Sequence, residues 1–171
     1  MTRRSLVVAI GSVAIAIIAL TAAWEHTALL IWNASASVPI GLYLVRDVGR
    51  LATDELVVAQ PPETLADFLA TGRYLPKGVP LIKHVAALPG AIVCRSGLSV
   101  SIDGVVRAKA RERDHAGRSL PTWSGCRTIT EDEVFLLNAS EPASLDGRYF
   151  GPLPSASIVG RAVPIWTEQR P

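Results

Sequence analysis

A chain of 171 residues has length for one domain plus an appendage, but not for two well-buried cores. Its 49% apolar content is weighted toward the first 24 positions, and the remainder has the composition of a water-soluble domain. A formal net charge of +2 without a long block of like charges argues against nucleic acid as a partner.

The N-terminus reads MTRRSLVVAIGSVAIAIIALTAAW, with no charge from Ser5 to Trp24, about the length that spans a bilayer as a helix. Arg3 and Arg4 precede this stretch and Glu25 and His26 follow it, which predicts a cytoplasmic N-terminus and a translocated remainder. Residues 1–24 are therefore expected to be a signal or anchor helix, and residues 25–171 an exported domain at the outer face of the inner membrane. The small residues around Thr21 to Ala23 suit a leader-cleaving enzyme, so retention and removal of the helix both stay open. The two cysteines, Cys94 and Cys126, lie in the exported part and are predicted to pair in an oxidising compartment.

Beyond the apolar run, EHTALLIW fits either an extension of the helix or the start of the domain. GLYLVRDV and ELVVAQ read as short strands, rich in Val and Leu and bounded by turn residues. Leu65, Phe68 and Leu69 fall at helical spacing within Glu63 to Thr71, predicting a short helix capped by Gly72. LIKHVAAL is a strand, and PGAIVC is a turn entering another. LSVSIDGVVRA alternates about Asp103–Gly104, a hairpin signal. RAKARERDHAGR reads as a solvated hairpin end or loop; EDEVFLLNAS, SLDGRYFGPLP and SIVGRAVPIW read as strand, loop and strand. Many short strands with one short helix predict a mainly β, barrel-like domain.

Chemistry centres first on NASASVPIGLY. Pro39 biases Val38 toward extended backbone and Gly41 permits conformations closed to other residues, so the chain is constrained just after Ser37. A nucleophilic serine needs such an exposed, fixed perch, with its own N–H facing the oxyanion that forms. It also needs a base. His26 lies at the membrane boundary and His115 in the charged loop, leaving Lys83 and His84 in a core strand, of which at most one faces the site. A lysine flanked by apolar residues loses its proton near neutrality only if burial moves its pKa by about 3–4 units. Asp146 and Arg148, two residues apart, are close enough to pair if their segment is extended.

Ser37 in SVPIGLY, Lys83 in PLIKHVAALPG and Asp146 in SLDGRYFGP, in that order behind an apolar helix, resemble the type I signal peptidases. GRYLPKGVPLIK and RYFGP add a likeness to their conjugal-transfer (TraF-type) maturation branch. The resemblance implies a signal-peptidase-like β-barrel catalytic domain carrying a Ser/Lys dyad, with Ser37 as nucleophile and Lys83 as general base. It implies that Ser35 helps form the oxyanion hole, and that Asp146 and Arg148 fill the acidic and basic positions of the C-terminal box, the aspartate being functionally required. Gly151 stands where secretory members end this box with a serine that bonds the lysine amine, so another group is expected to orient Lys83, His84 among the candidates. Gly147 and His84 replace a serine and an arginine common in the branch.

The expected function is maturation of a pilin precursor for a conjugation or type IV secretion apparatus, by trimming or by joining the cut end to the pilin's own N-terminus. The same chemistry in a general signal peptidase for secreted preproteins, and a non-catalytic scaffold for pilus assembly, are the alternatives. No cofactor or metal is indicated. The sequons at Asn33 and Asn138 read as chance occurrences.

Overall fold

The computed structural model describes residues 3–23 and 30–168; Trp24 and His26 lie outside them. The chain begins with helix α1 (Arg3–Ala23), whose described apolar side chains, such as Val7, Ile10 and Ile15, are exposed. Over its described side chains α1 is not long and apolar enough to cross a membrane; those of Leu6, Ile18 and residues 20–23 are outside that count.

Eleven strands follow among the described residues: β1 (Leu30–Asn33), β2 (Gly41–Arg46), β3 (Leu56–Ala59), β4 (Leu81–Ala87), β5 (Ile92–Ser96), β6 (Ser99–Ile102), β7 (Val105–Lys109), β8 (Gly125–Thr128), β9 (Glu133–Leu136), β10 (Leu153–Pro154) and β11 (Ile158–Thr167). Two helices interrupt them, α2 (Glu63–Thr71) and the single turn α3 (Gly147–Phe150). The mainly β expectation holds as two antiparallel sheets, one in the order β1-β2-β11-β3-β4-β9-β10 and one in the order β7-β6-β5-β8. EHTALLIW resolves in part, since its last residues open β1 rather than extend the helix.

Strand β9 joins the layers through its period of two. Val134 and Leu136 enter the core beneath α2, whereas Phe135, followed by Leu137, packs against Val93, Val100 and Ile102 of the smaller sheet. The predicted hairpin forms at Asp103 and Gly104, both at positive φ (49° and 80°), the backbone that a tight two-residue turn needs. Cys94 and Cys126 face each other across β5 and β8 and form the predicted disulfide.

Helix α2 has the predicted bounds and buries Leu65 and Leu69. Gly72 closes it, as expected, but without a left-handed backbone: its φ is −74°, and Arg73 takes the positive φ of 55°. A Cβ at Gly72 would stand 2.2 Å from the Tyr74 ring, so glycine admits that ring against the helix end. Gly41 serves a similar close approach, because a Cβ there would meet the Trp166 carbonyl oxygen at 2.1 Å and block β2 from β11.

Candidate active site

The segment between β1 and β2 is shaped by a buried asparagine. Asn33 donates from Nδ2 to the carbonyls of Ser35 (2.8 Å), Val38 (3.2 Å) and Pro39 (3.1 Å). Its Oδ1 accepts from the Ser35 backbone N–H (3.1 Å) and Ser35 Oγ (2.9 Å). Buried Tyr43 donates its hydroxyl to the Pro39 carbonyl at 2.6 Å, and Val38 packs with Tyr43, Val45 and Ile82 below the loop. These contacts hold Ser37 half-buried at the surface. Ser37 Oγ lies 3.1 Å from Ser35 Oγ. A hydroxyl carries one proton, and Ser35 directs its own to Asn33, so in this arrangement Ser37 is the donor.

Lys83 comes from the middle of β4. Alternation sends its side chain and that of Val85 toward α2, and Ile82 and His84 to the other face. Ser37, Lys83, Ser35 and Ser144 line one cavity of about 340 Å³, walled on its apolar side by Leu69 and Leu75. The lysine is only 4% exposed, and this burial pulls its pKa down from 10.5 to about 8. The charge of Asp146 opposes the fall and that of Arg148 adds to it.

The lysine amine donates to Ser144 Oγ at 3.1 Å. This supplies the other group expected in place of Gly151: a serine at the start of the box, two residues before Asp146. Nor does His84 contribute its ring. The imidazole lines a separate cavity of about 520 Å³ with Asp54 and Asp103, where burial holds its pKa below the usual value.

SLDGRYFGP is not an extended loop either. Asp146 caps α3, accepting from the Arg148 backbone N–H at 3.2 Å. Asp146 and Arg148 do pair, through two bonds of 2.8 and 3.0 Å, with both side chains buried. Asp146 Oδ2 also accepts from the Asn138 N–H at 3.0 Å, and Arg148 Nη2 donates to the Asn138 carbonyl at 2.7 Å. The carboxylate is thus engaged behind the cavity, by Arg148 and backbone. Buried Arg95 donates to the Arg148 carbonyl (2.6 Å) and Trp123 Nε1 to the Gly147 carbonyl (3.0 Å), bracing the turn from β5 and from the segment before β8.

A family model described as signal peptidase, peptidase S26, matches residues 2–167. The chain belongs to the peptidase S26 signal peptidase family. Relatives that it resembles include proteins named for conjugal transfer. The probable conjugal transfer protein TraF of Sinorhizobium fredii (strain NBRC 101917 / NGR234) is 38% identical over 145 residues, 79% of this chain and 76% of that protein. Conjugal transfer protein TraF of Agrobacterium tumefaciens (strain 15955) is 35% identical over 175 residues, 96% of this chain and 97% of that one. A signal peptidase I of known structure, from Enterococcus faecalis V583, is 19% identical with a TM-score of 0.40, covering 67% of this chain and 98% of its own.

Two features of this S26 domain escaped the sequence reading. At Gly147, where the branch commonly has serine, a Cβ would lie 2.6 Å from the Phe135 ring and 2.7 Å from the Leu136 carbonyl oxygen, so this interior admits only glycine without adjustment. The charged loop after β7 is exposed, yet it turns back onto α2. Asp114 accepts from the Tyr74 hydroxyl (2.6 Å) and Arg118 Nε (2.6 Å), Arg118 lies over the Tyr74 ring, and His115 reaches the cavity beside Ser37. The Tyr74 bond, first among several, holds the Asp114 carboxyl far below the usual carboxylate range.

Proposed function

We propose that the chain is a Ser/Lys peptidase that matures a pilin precursor for conjugal transfer. The observation that carries this reading is a serine and a buried lysine on one cavity, the lysine held by a serine and its pKa lowered to about 8. With that pKa, about one lysine in ten is neutral at pH 7, enough for a general base.

The steps follow from the donors in place. The Ser37 hydroxyl turns from Ser35 to the lone pair of neutral Lys83, gives up its proton and attacks the scissile carbonyl. The oxyanion is received by the Ser37 N–H and, once its proton leaves Asn33, by Ser35 Oγ. Lys83 then passes the proton to the leaving amine, freeing the C-terminal fragment and leaving an acyl-serine. Water resolves that ester in trimming; the pilin's own N-terminal amine resolves it in cyclisation, and either nucleophile gives its proton to Lys83 as Ser37 regains its own. Asp146 and Arg148 hold Ser144 and the cavity wall in place without touching the reacting atoms.

The disulfide fits an oxidising compartment, and the uncharged run from Ser5 to Trp24 fits export through, or anchorage in, the inner membrane, with the domain on its outer face. A pilus scaffold without catalysis gives no reason to bury a lysine opposite a serine. The reading is tested by producing wild type, Ser37→Ala and Lys83→Ala with the pilin precursor of the same transfer system and following the pilin's intact mass. Processing by wild type alone supports the dyad, and a product lighter by one further water than cleavage predicts supports cyclisation. Normal processing by either variant overturns the reading.

A further inference from the structure

We propose that Asn138 is a positioning residue whose side-chain amide sets the place of the Ser37 nucleophile over Lys83. The ladder between β4 and β9 carries a bulge between Val85 and Ala87 and continues to the bond from the Leu137 N–H to the His84 carbonyl. At the next residue the backbone turns to Asp146 and Arg148, and the Asn138 side chain takes over the ladder. Its Oδ1 accepts from the His84 N–H at 3.1 Å, and its Nδ2 reaches the Ile82 carbonyl at 3.4 Å, as a peptide unit of a neighbouring strand would.

A carboxamide has one N–H more than a peptide group. Asn138 Nδ2 uses it on the Ser37 carbonyl, at 2.9 Å. One buried amide therefore links the nucleophile to both chain neighbours of the lysine, across separations of 101, 56 and 54 residues. Two carbonyls require donors and one N–H requires an acceptor, so only one orientation of the amide serves all three. Aspartate lacks the donors, and the hydroxyl of serine is too short to reach all three partners. Asn33 shapes the loop from within, whereas Asn138 registers it against β4, on which general-base transfer depends; a misplacement of about 1 Å costs on the order of a hundredfold in rate.

This inference rests on the peptidase reading, and its test separates the two. Asn138→Ala and Asn138→Ser, with Ser37→Ala as control, are assayed in the full-length chain on a synthetic peptide spanning the pilin precursor's processing site, per folded molecule as measured by near-UV circular dichroism. Expected is a fall in kcat of about tenfold or more, with KM within about threefold of wild type and the pH midpoint of kcat/KM unchanged, because Lys83 and Ser144 are untouched. A kcat within about threefold of wild type in whichever Asn138 variant folds, or a loss accompanied by a midpoint moved toward the ordinary lysine value, overturns the positioning role, the latter by showing that the cavity has merely opened to water. Full activity in Ser37→Ala instead overturns the peptidase reading itself.

Discussion

Lys83 Nζ and Ser144 Oγ, 61 residues apart in the chain, lie 3.1 Å apart in a buried contact. The hydroxyl accepts one amine hydrogen, which fixes the direction of the lysine's remaining hydrogens and, when neutral, of its lone pair. Ser144 itself is held because Asp146, two residues on, is engaged on both oxygens by Arg148 and the Asn138 N–H.

Replacing Ser144 with alanine leaves the lysine buried but unaimed. We expect kcat to fall by about ten- to a hundredfold, in the range of one lost general-base contribution, with KM little changed. Steady-state kinetics on the precursor peptide, with the melting temperature as a check on folding, decides it; an unchanged kcat removes Ser144 from the site.

With Lys83 as the proposed base, activity should follow its neutral form. With its pKa near 8, log kcat/KM rises by about one per pH unit below pH 8 and levels above it. A midpoint near 6.5 would instead assign the base to a histidine.

Stability carries the opposite mark of the same burial. The folded pKa of Lys83 lies below its unfolded value of 10.5, so under pH 8 both states hold the proton and the fold bears the full cost of the buried cation. Between about 8 and 10.5 the unfolded chain binds more protons, and stability rises with pH. The fall from 10.5 to about 8 is worth about 3 kcal/mol. Lys83→Met should therefore be inactive yet more stable than wild type at pH 7, by up to about 3 kcal/mol, and the gain should vanish above pH 10.5. Urea denaturation at pH 7 and at high pH measures both.

The Cys94–Cys126 disulfide encloses the loop over α2 and both braces on α3, Arg95 and Trp123. Cys94→Ser with Cys126→Ser should cost roughly 3–4 kcal/mol in the chain-entropy account. It should also lower activity by loosening α3, whose cap Asp146 lies two residues after Ser144. Urea midpoints of the oxidised, reduced and double-serine proteins test the first, and peptide cleavage the second.

Local chemistry alone determined much of this protein. The bounds of α2 follow from apolar spacing, the hairpin from Asp103–Gly104 and the disulfide from the pairing expected of the two cysteines, whereas the choice of Ser37 and Lys83 as a dyad rests on the family resemblance. These signals depend on neighbours in the chain. What only the tertiary structure decided rests on hydrogen bonds and contacts between distant or refolded segments. Ser144 bonds the lysine amine, a partner that the sequence left unnamed once Gly151 was seen in place of a serine. Asp146 and Arg148 pair through a helical turn, because the aspartate side chain caps it. Asn33 and Asn138, which look like chance sequons, are buried and hydrogen-bond the loop that carries Ser37. An amide or a hydroxyl reads the same in sequence whether it meets water or a partner 101 residues away, and only burial makes that partner obligatory.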